Sequence, residues 1–349
     1  MGILGKLRQY LPPTARAMDN TFQEIDSLRK ELAERDEMLR KQIDAHDAHM
    51  KLMYWQLYRG QDESVPDAKK RFFREMPQAE GAFRLYQLGT AKLLAEFDEL
   101  CRQHGLRYWI AFGTLLGAVR HGGFIPWDDD VDTGMPRADI EKLIQIVQDS
   151  DRYRVSVVYD WWAKCRQVRF RYKDPAIPCF LDLFIFDFSE HEDGQEVFGR
   201  MHAERQQMMQ RMDDEWFYEF WKKPELTEAD PETPRVAKYF DDLLEKHFEE
   251  GLFTRDESRA KSIVWASDNL NDLNSYQWGC PVEDVLPTGR MTFEGVECNV
   301  PANWRKFLDE VYHDIYSLPR DINSHHAHVA REDMASPETL QAMQSLVQG

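Results

Sequence analysis

The sequence predicts an α/β protein of the mixed (α+β) type, a sheet flanked by helices that also carries a long N-terminal helix and a helical insertion. Three observations predict it. Residues 18–58 repeat apolar positions at heptad spacing; residues 106–188 alternate short strand patterns with helical ones; and residues 196–260 are charged, Trp- and Met-rich and helical in character. With 349 residues, 42% of them hydrophobic and 12% aromatic, the chain can bury a substantial core.

The long helix is read from Ile25, Leu32, Leu39 and Met53 at d positions, where His46 is the exception, and from Phe22, Ile43, Met50 and Leu57 at a, with polar Arg29 and Asp36 between them. That pattern predicts a coiled coil over 18–60 and self-association into a homo-oligomer. Residues 1–17 form a leader, too short and polar for a signal peptide, with Lys6 where a myristoylation signal wants Ser or Thr. Their reach is at most a peripheral contact with the inner membrane. Residues 61–82 read as a linker or helical connection with a hinge at 60–66.

A helix follows over Phe83–His104 and stops at Gly105. Then come a strand at Leu106–Phe112, a short helix opened by Gly113-Thr114 and running through Arg120, a Gly122-Gly123 turn, and a strand at Val131–Met135. Ile140, Leu143, Ile144 and Val147 keep helical spacing after Pro136. Strands are expected at 154–159, 167–172 and 180–188, a break in the insertion at 224–234, β structure near 290–300, and a helix over 303–316. A tail helix over 334–349 starts at Ser336-Pro337.

The formal charge of −18 argues against a nucleic-acid or anionic-membrane binder. Five cysteines without a Cys-x-x-Cys pair suit free thiols in a reducing cytoplasm. No stretch approaches the ~20 apolar residues of a membrane span.

The chemistry concentrates at Asp128, Asp129, Asp130 and Asp132, set among Phe124, Ile125, Trp127, Val131 and Met135. Clustered carboxylates repel and resist desolvation, and a hard divalent cation, Mg²⁺ or Mn²⁺, cancels that repulsion. An EF-hand loop fails at Thr133 and Asp139, where Gly and Glu are required. Two readings stay open: the Asp-x-Asp of a nucleotide-sugar glycosyltransferase, and a nucleotidyltransferase-type site in which a later strand supplies a third acid. Asp182, inside Phe180–Phe186, is the candidate for that acid, with an Arg-paired structural role as its alternative; Asp187 lies on the opposite strand face and reads as structural. Gly113 and Thr114 begin a helix suited to phosphate. Arg120 and His121 either hold phosphate charge or pair with the acids. Of Arg169 and Arg171, one is expected to face the pocket and the other solvent. His325, His326 and His328 lack the partners of a zinc site. Trp127, Trp161 and Trp162 read as core more readily than as a platform for sugar or choline.

The run from Gly113 to Asp132, Gly-Thr-Leu-Leu-Gly-Ala-Val-Arg-His-Gly-Gly-Phe-Ile-Pro-Trp-Asp-Asp-Asp-Val-Asp, together with Phe180-Leu-Asp-Leu-Phe184, resembles the LicD family, which is related to fukutin-related protein. Weaker likenesses follow at 293–301 and 312–319, where Tyr312-His313-Asp314 stands in place of the family's Tyr-Gly-Asp. The resemblance covers roughly residues 85–330 and implies a minimal nucleotidyltransferase core over 83–333, interrupted by the insertion at about 196–260. It implies transfer of a phospho-substituent from a CDP-activated donor, with choline, ribitol or glycerol as head group, to a sugar hydroxyl of a cell-surface glycan such as lipopolysaccharide. On that reading Asp130, Asp132 and Asp182 are catalytic and hold Mg²⁺ or Mn²⁺, with Asp182 also the general base. Gly113, Thr114, Arg120, His121 and Arg169 face the donor, and Asp128 and Asp129 shape the loop. The expected partners are the CDP donor, the glycan acceptor and further copies of the chain, and the expected compartment is the cytoplasm. A glycosyltransferase and a non-catalytic coiled-coil assembly factor are the alternatives.

Overall fold

The computed structural model describes residues 13–160, 164–215, 225–270, 278–318 and 328–349. Trp161, Trp162, His325, His326 and most of the expected leader fall outside them. The chain divides into two units, Met1–Lys69 and Lys70–Gly349.

The first unit is dominated by helix α1, Pro13–Tyr58, which starts ahead of the expected residue 18. Acid-before-base pairs one turn apart, such as Glu37–Lys41 at 2.6 Å and Asp47–Lys51 at 2.9 Å, support it along its surface. Its heptad residues Phe22, Ile25, Leu32, Leu39, Ile43, Met50, Met53 and Leu57 are all exposed, Leu57 at 83%. Where the sequence suggested a connection, a second helix, α2 (Val65–Glu75), forms. Ser64 caps it: its hydroxyl donates to the Asp67 carboxylate at 2.6 Å and accepts from the Asp67 N–H at 3.2 Å. Among the described residues no helix is long and apolar enough to cross a membrane.

In the second unit α3 (Gly81–His104) ends on Gly105 at φ 63°, the left-handed cap that glycine adopts without strain. There follow β1 (Trp109–Ile110), α4 (Phe112–Arg120), β2 (Asp132–Pro136), α5 (Arg137–Val147), β3 (Tyr153–Asp160), β4 (Cys165–Tyr172) and β5 (Phe180–Ser189). The insertion contributes α6 (Gly194–Arg200), α7 (His202–Asp214), β6 (Glu225–Leu226) and α8 (Thr233–Glu249). It closes a second small core in which Met208, Met212, Val236 and Phe240 cluster with Tyr159 of β3. The rest comprises β7 (Ser262–Val264), β8 (Gly279–Pro281), the hairpin β9 (Gly289–Phe293) and β10 (Val296–Val300), α9 (Trp304–Tyr312), α10 (Arg331–Met334) and α11 (Pro337–Gln348).

The sheet is mixed, in the order β1-β2-β5-β4-β3-β6, with β2 parallel to β5 and the other pairs antiparallel. β5 is long enough to serve two further partners besides β2. Its first residues pair with β4, while Asp187–Ser189 pair with β7, which in turn pairs with β8. Helices pack on the sheet, α3 setting Phe97 against Phe170 with ring centroids 5.1 Å apart. Asp187 is held by Arg137 through two hydrogen bonds of 2.7 and 2.6 Å, and Asp268 takes both Arg137 and Arg166. This buried network is structural.

Four elements of the second unit depart most clearly from expectation. The first strand stops at Ile110 because Phe112, at φ 45°, already turns the chain into α4. The helix expected through Tyr316 ends at Tyr312, where His313 takes φ 52°. β7 and β8, three residues each, have too little pattern to be seen in sequence.

Candidate active site

The register of three neighbouring strands builds the site. Asp132 of β2 stands opposite Asp182 of β5, and Arg169 of β4 stands opposite Asp182 on its other side. Two like charges facing across a sheet destabilise it, and here Asp130 adds a third. Carboxylate oxygens of Asp130, Asp132 and Asp182 lie within 4.8 Å of one another. Burial pushes the Asp132 carboxyl well above the usual carboxylate range, and the charges of Asp130, Asp182 and Asp128 push it further. Burial also raises Asp182, against the pull of Arg169, whose Nε donates to Asp182 Oδ1 at 2.7 Å.

Among the described residues, Arg169 and, beside Asp130, His328 face these three carboxylates. Such a set of hard oxygen donors is what Mg²⁺ or Mn²⁺ takes, so these residues fit the cation that the sequence suggested. Asp182 is paired to an arginine and also lies in the acidic cluster.

Arg169 and Arg171 do not divide between pocket and solvent. Two residues apart on one strand, they share a face, and both guanidiniums lie over the Phe180 ring, at 4.2 and 5.5 Å.

Helix α4 abuts the acids at its first turn. The Thr114 hydroxyl accepts the Asp132 N–H at 2.8 Å, and the Ala111 N–H donates to the Asp132 carbonyl at 3.0 Å. Thr114 thus fixes the start of β2 against α4. At Gly113 a Cβ would meet Asp128 Oδ2 at 3.0 Å, so the glycine lets that carboxylate approach the helix N-terminus, where the macrodipole favours negative charge. Phe112 takes its left-handed φ of 45° at this same turn. Such strain persists where packing over-determines it, and the Phe112 ring is wedged against Phe184 and Trp278, centroids 4.7 and 5.6 Å away.

Arg120 and His121 sit at the opposite end of α4. The Arg120 guanidinium lies 4.1 Å over the Phe73 ring and donates to the Ile315 carbonyl at 3.4 Å. The His121 ring meets Phe73 edge-on at 5.7 Å. Burial, helped by the Arg120 charge, pulls the His121 imidazole down to about 4, so it is neutral at neutral pH.

Asp129 has a separate task. Its Oδ2 accepts the backbone N–H of His328 at 2.8 Å and of Val329 at 3.1 Å, while Oδ1 meets His328 Nδ1 at 3.1 Å. The same nitrogen lies 3.6 Å from Asp130 Oδ2. Burial works against the charged imidazole, but the Asp129 hydrogen bond and the charges of Asp130 and Asp182 prevail and push it up to about 9. Asp129, Asp130 and His328 form a second group whose ligand atoms lie within 4.8 Å. Sequence reasoning weighed His328 only as zinc ligand, and nothing local ties it to an aspartate 199 residues away.

Residues 105–227 match the family described as LicD/FKTN/FKRP, nucleotidyltransferase domain. The lipopolysaccharide cholinephosphotransferase LicD of Haemophilus influenzae is 33% identical over 116 residues, 30% of this chain and 44% of that protein. The human ribitol 5-phosphate transferase FKRP is 52% identical over 42 residues, 12% of this chain and 8% of that one. The mannosyltransferase regulator 4 of Saccharomyces cerevisiae is 31% identical over 65 residues, 19% and 6% of the two chains. The matched part therefore spans less than half the length of each of these relatives.

Proposed function

We propose that this chain, whose residues 105–227 match the LicD family, is a metal-dependent phosphotransferase. It moves a phospho-substituent, phosphocholine or an alditol phosphate, from a CDP-activated donor to a sugar hydroxyl of a cell-surface glycan and releases CMP. The observation that carries the reading is the row Asp132, Asp182 and Arg169, with Asp130 beside it. Two relatives whose names state transfer of phosphocholine or ribitol phosphate support it.

Asp130, Asp132 and Asp182 would hold Mg²⁺ or Mn²⁺, which supplies charge neutralisation at the donor's phosphates and Lewis acidity. The protein does the rest. The first turn of α4, at Gly113 and Thr114, presents backbone N–H groups to phosphate oxygens. Arg169 fixes the orientation of Asp182 through Oδ1, and Asp182 takes the proton of the attacking hydroxyl. Asp129 anchors the acidic loop to the His328–Val329 backbone, keeping Asp130 in place. We further propose that the exposed heptad row of α1 is covered by a second copy of the same helix.

The test is turnover of a donor panel by the whole protein with Mg²⁺ or Mn²⁺. CDP-choline, CDP-ribitol and CDP-glycerol are compared with nucleotide sugars, each with a glycan acceptor. CMP release from at least one CDP donor is expected. Turnover of nucleotide sugars alone would replace this reading with a glycosyltransferase.

A further inference from the structure

A cavity of about 270 Å³ opens at the first turn of α4, next to Asp128 of the acidic loop. One wall is a single face of α4, with Gly113 at the end next to the acids and Arg120 at the other. Seven residues at 1.5 Å each make that wall about 10 Å long. Trp127 and Asp128 lie on the loop side, and Tyr312 and Asp314 form the wall opposite. The cavity thus starts where the donor's phosphates would sit and leads away from them.

Its lining is selective. Among the described residues it carries two carboxylates, Asp128 and Asp314, and the guanidinium of Arg120. Carboxylate oxygens accept hydrogen bonds from hydroxyls, and the rings of Trp127 and Tyr312 offer apolar faces to C–H groups. The volume lies just under the ~300–1,000 Å³ of sites for drug-sized ligands, which suits a single ring. Arg120 shapes the cavity as well as lining it, because its hydrogen bond to the Ile315 carbonyl holds the far wall to α4.

We propose that this cavity binds one polyhydroxylated ring, a sugar, held between Trp127 and Tyr312 with Asp314 accepting its hydroxyls. The inference rests on the phosphotransferase reading for its purpose, and deepens it. Two sources carry that chemistry: the ribose of the nucleotide donor and the acceptor sugar.

Calorimetry on the full chain with Mn²⁺ separates them, using CMP in one arm and a panel of methyl glycosides in the other, for wild type, Trp127→Ala, Trp127→Phe and Asp314→Asn. Melting curves confirm folding of each variant. If the ribose is bound, CMP affinity falls at least tenfold in Trp127→Ala and Asp314→Asn and recovers in Trp127→Phe. If the acceptor is bound, CMP affinity stays within twofold, while a methyl glycoside that binds the wild type loses at least tenfold and recovers in the same way. Either supports the site. Folded variants that bind CMP and every glycoside as the wild type does would overturn it, as would a wild type that binds neither. A wild type that turns over no CDP donor but loses glycoside binding in these variants would sink the phosphotransferase reading and leave the cavity's assignment standing.

Discussion

A buried carboxylate must find a partner or give up its charge. Asp187 finds Arg137, and Asp129 finds two backbone amides and an imidazolium. Asp130, Asp132 and Asp182 share what Arg169 and, 3.6 Å from Asp130, His328 can offer, and this shortfall, more than the motif, marks the site. His121 shows the opposite economy, a base kept neutral by burial beside a cation. Its imidazole is depressed to about 4 from an ordinary ~6.5, so its contribution to stability is complete above ~6.5 and is lost as pH falls towards 4. His121→Phe, which keeps a ring against Phe73, should flatten the acid limb of the stability curve between those values. There the wild type loses up to ~1.4 kcal/mol per pH unit from this group. Denaturant titrations at pH 4, 5, 6 and 7 read this directly, and parallel curves for the two proteins would contradict it.

Elements carry the site through register and close approach. Alternation along β5 was enough to separate Asp182 from Asp187 in the sequence, because strand period is local. That Asp132 would face Asp182 depended on the parallel pairing of β2 with β5, a long-range choice the motif only suggested. The assignment of Arg169 and Arg171 to different faces erred against the same period of two. The left-handed start of α4 at Phe112 had no signal at all, since only Gly, Asn or Asp advertises such a turn. Close approach matters most at Gly117, where a Cβ would meet the Gly123 carbonyl oxygen at 2.5 Å and the Ile125 nitrogen at 3.3 Å. On helix propensity alone Gly117→Ala would stabilise α4 by up to ~1 kcal/mol. The contact reverses that sign. The variant should lose ~1–3 kcal/mol, because backbone on the acidic loop has to shift. A melting temperature at or above wild type would show that the loop yields without cost.

For the whole molecule, the heptad residues foreseen at a and d lie exposed along one continuous helix, where a single copy of the chain leaves them wet. Leu32→Glu with Leu39→Glu places charge at two successive d positions. It should convert a concentration-dependent oligomer into a monomer in sedimentation velocity. A wild type already monomeric at high micromolar concentration would refute the coiled coil. The candidate site was legible over Gly113–Asp132 and Phe180–Phe184, where its acids lie in dense local motifs. It was illegible at His328, which reaches the acidic loop only through the fold, and Tyr312–Asp314 showed only as a weaker family likeness.

The central claim is that aspartates from two parallel strands gather one cation, and Mn²⁺ titration followed by electron paramagnetic resonance addresses it without any substrate. The wild type should bind Mn²⁺ at a site that Asp132→Asn and Asp182→Asn each weaken at least ~100-fold, since loss of mere supporting partners already costs 10–100-fold. Asp132→Asn should also melt at or above the metal-free wild type, having shed a buried like charge. Mn²⁺ binding of equal strength in wild type and both variants, or none in the wild type, would contradict the account.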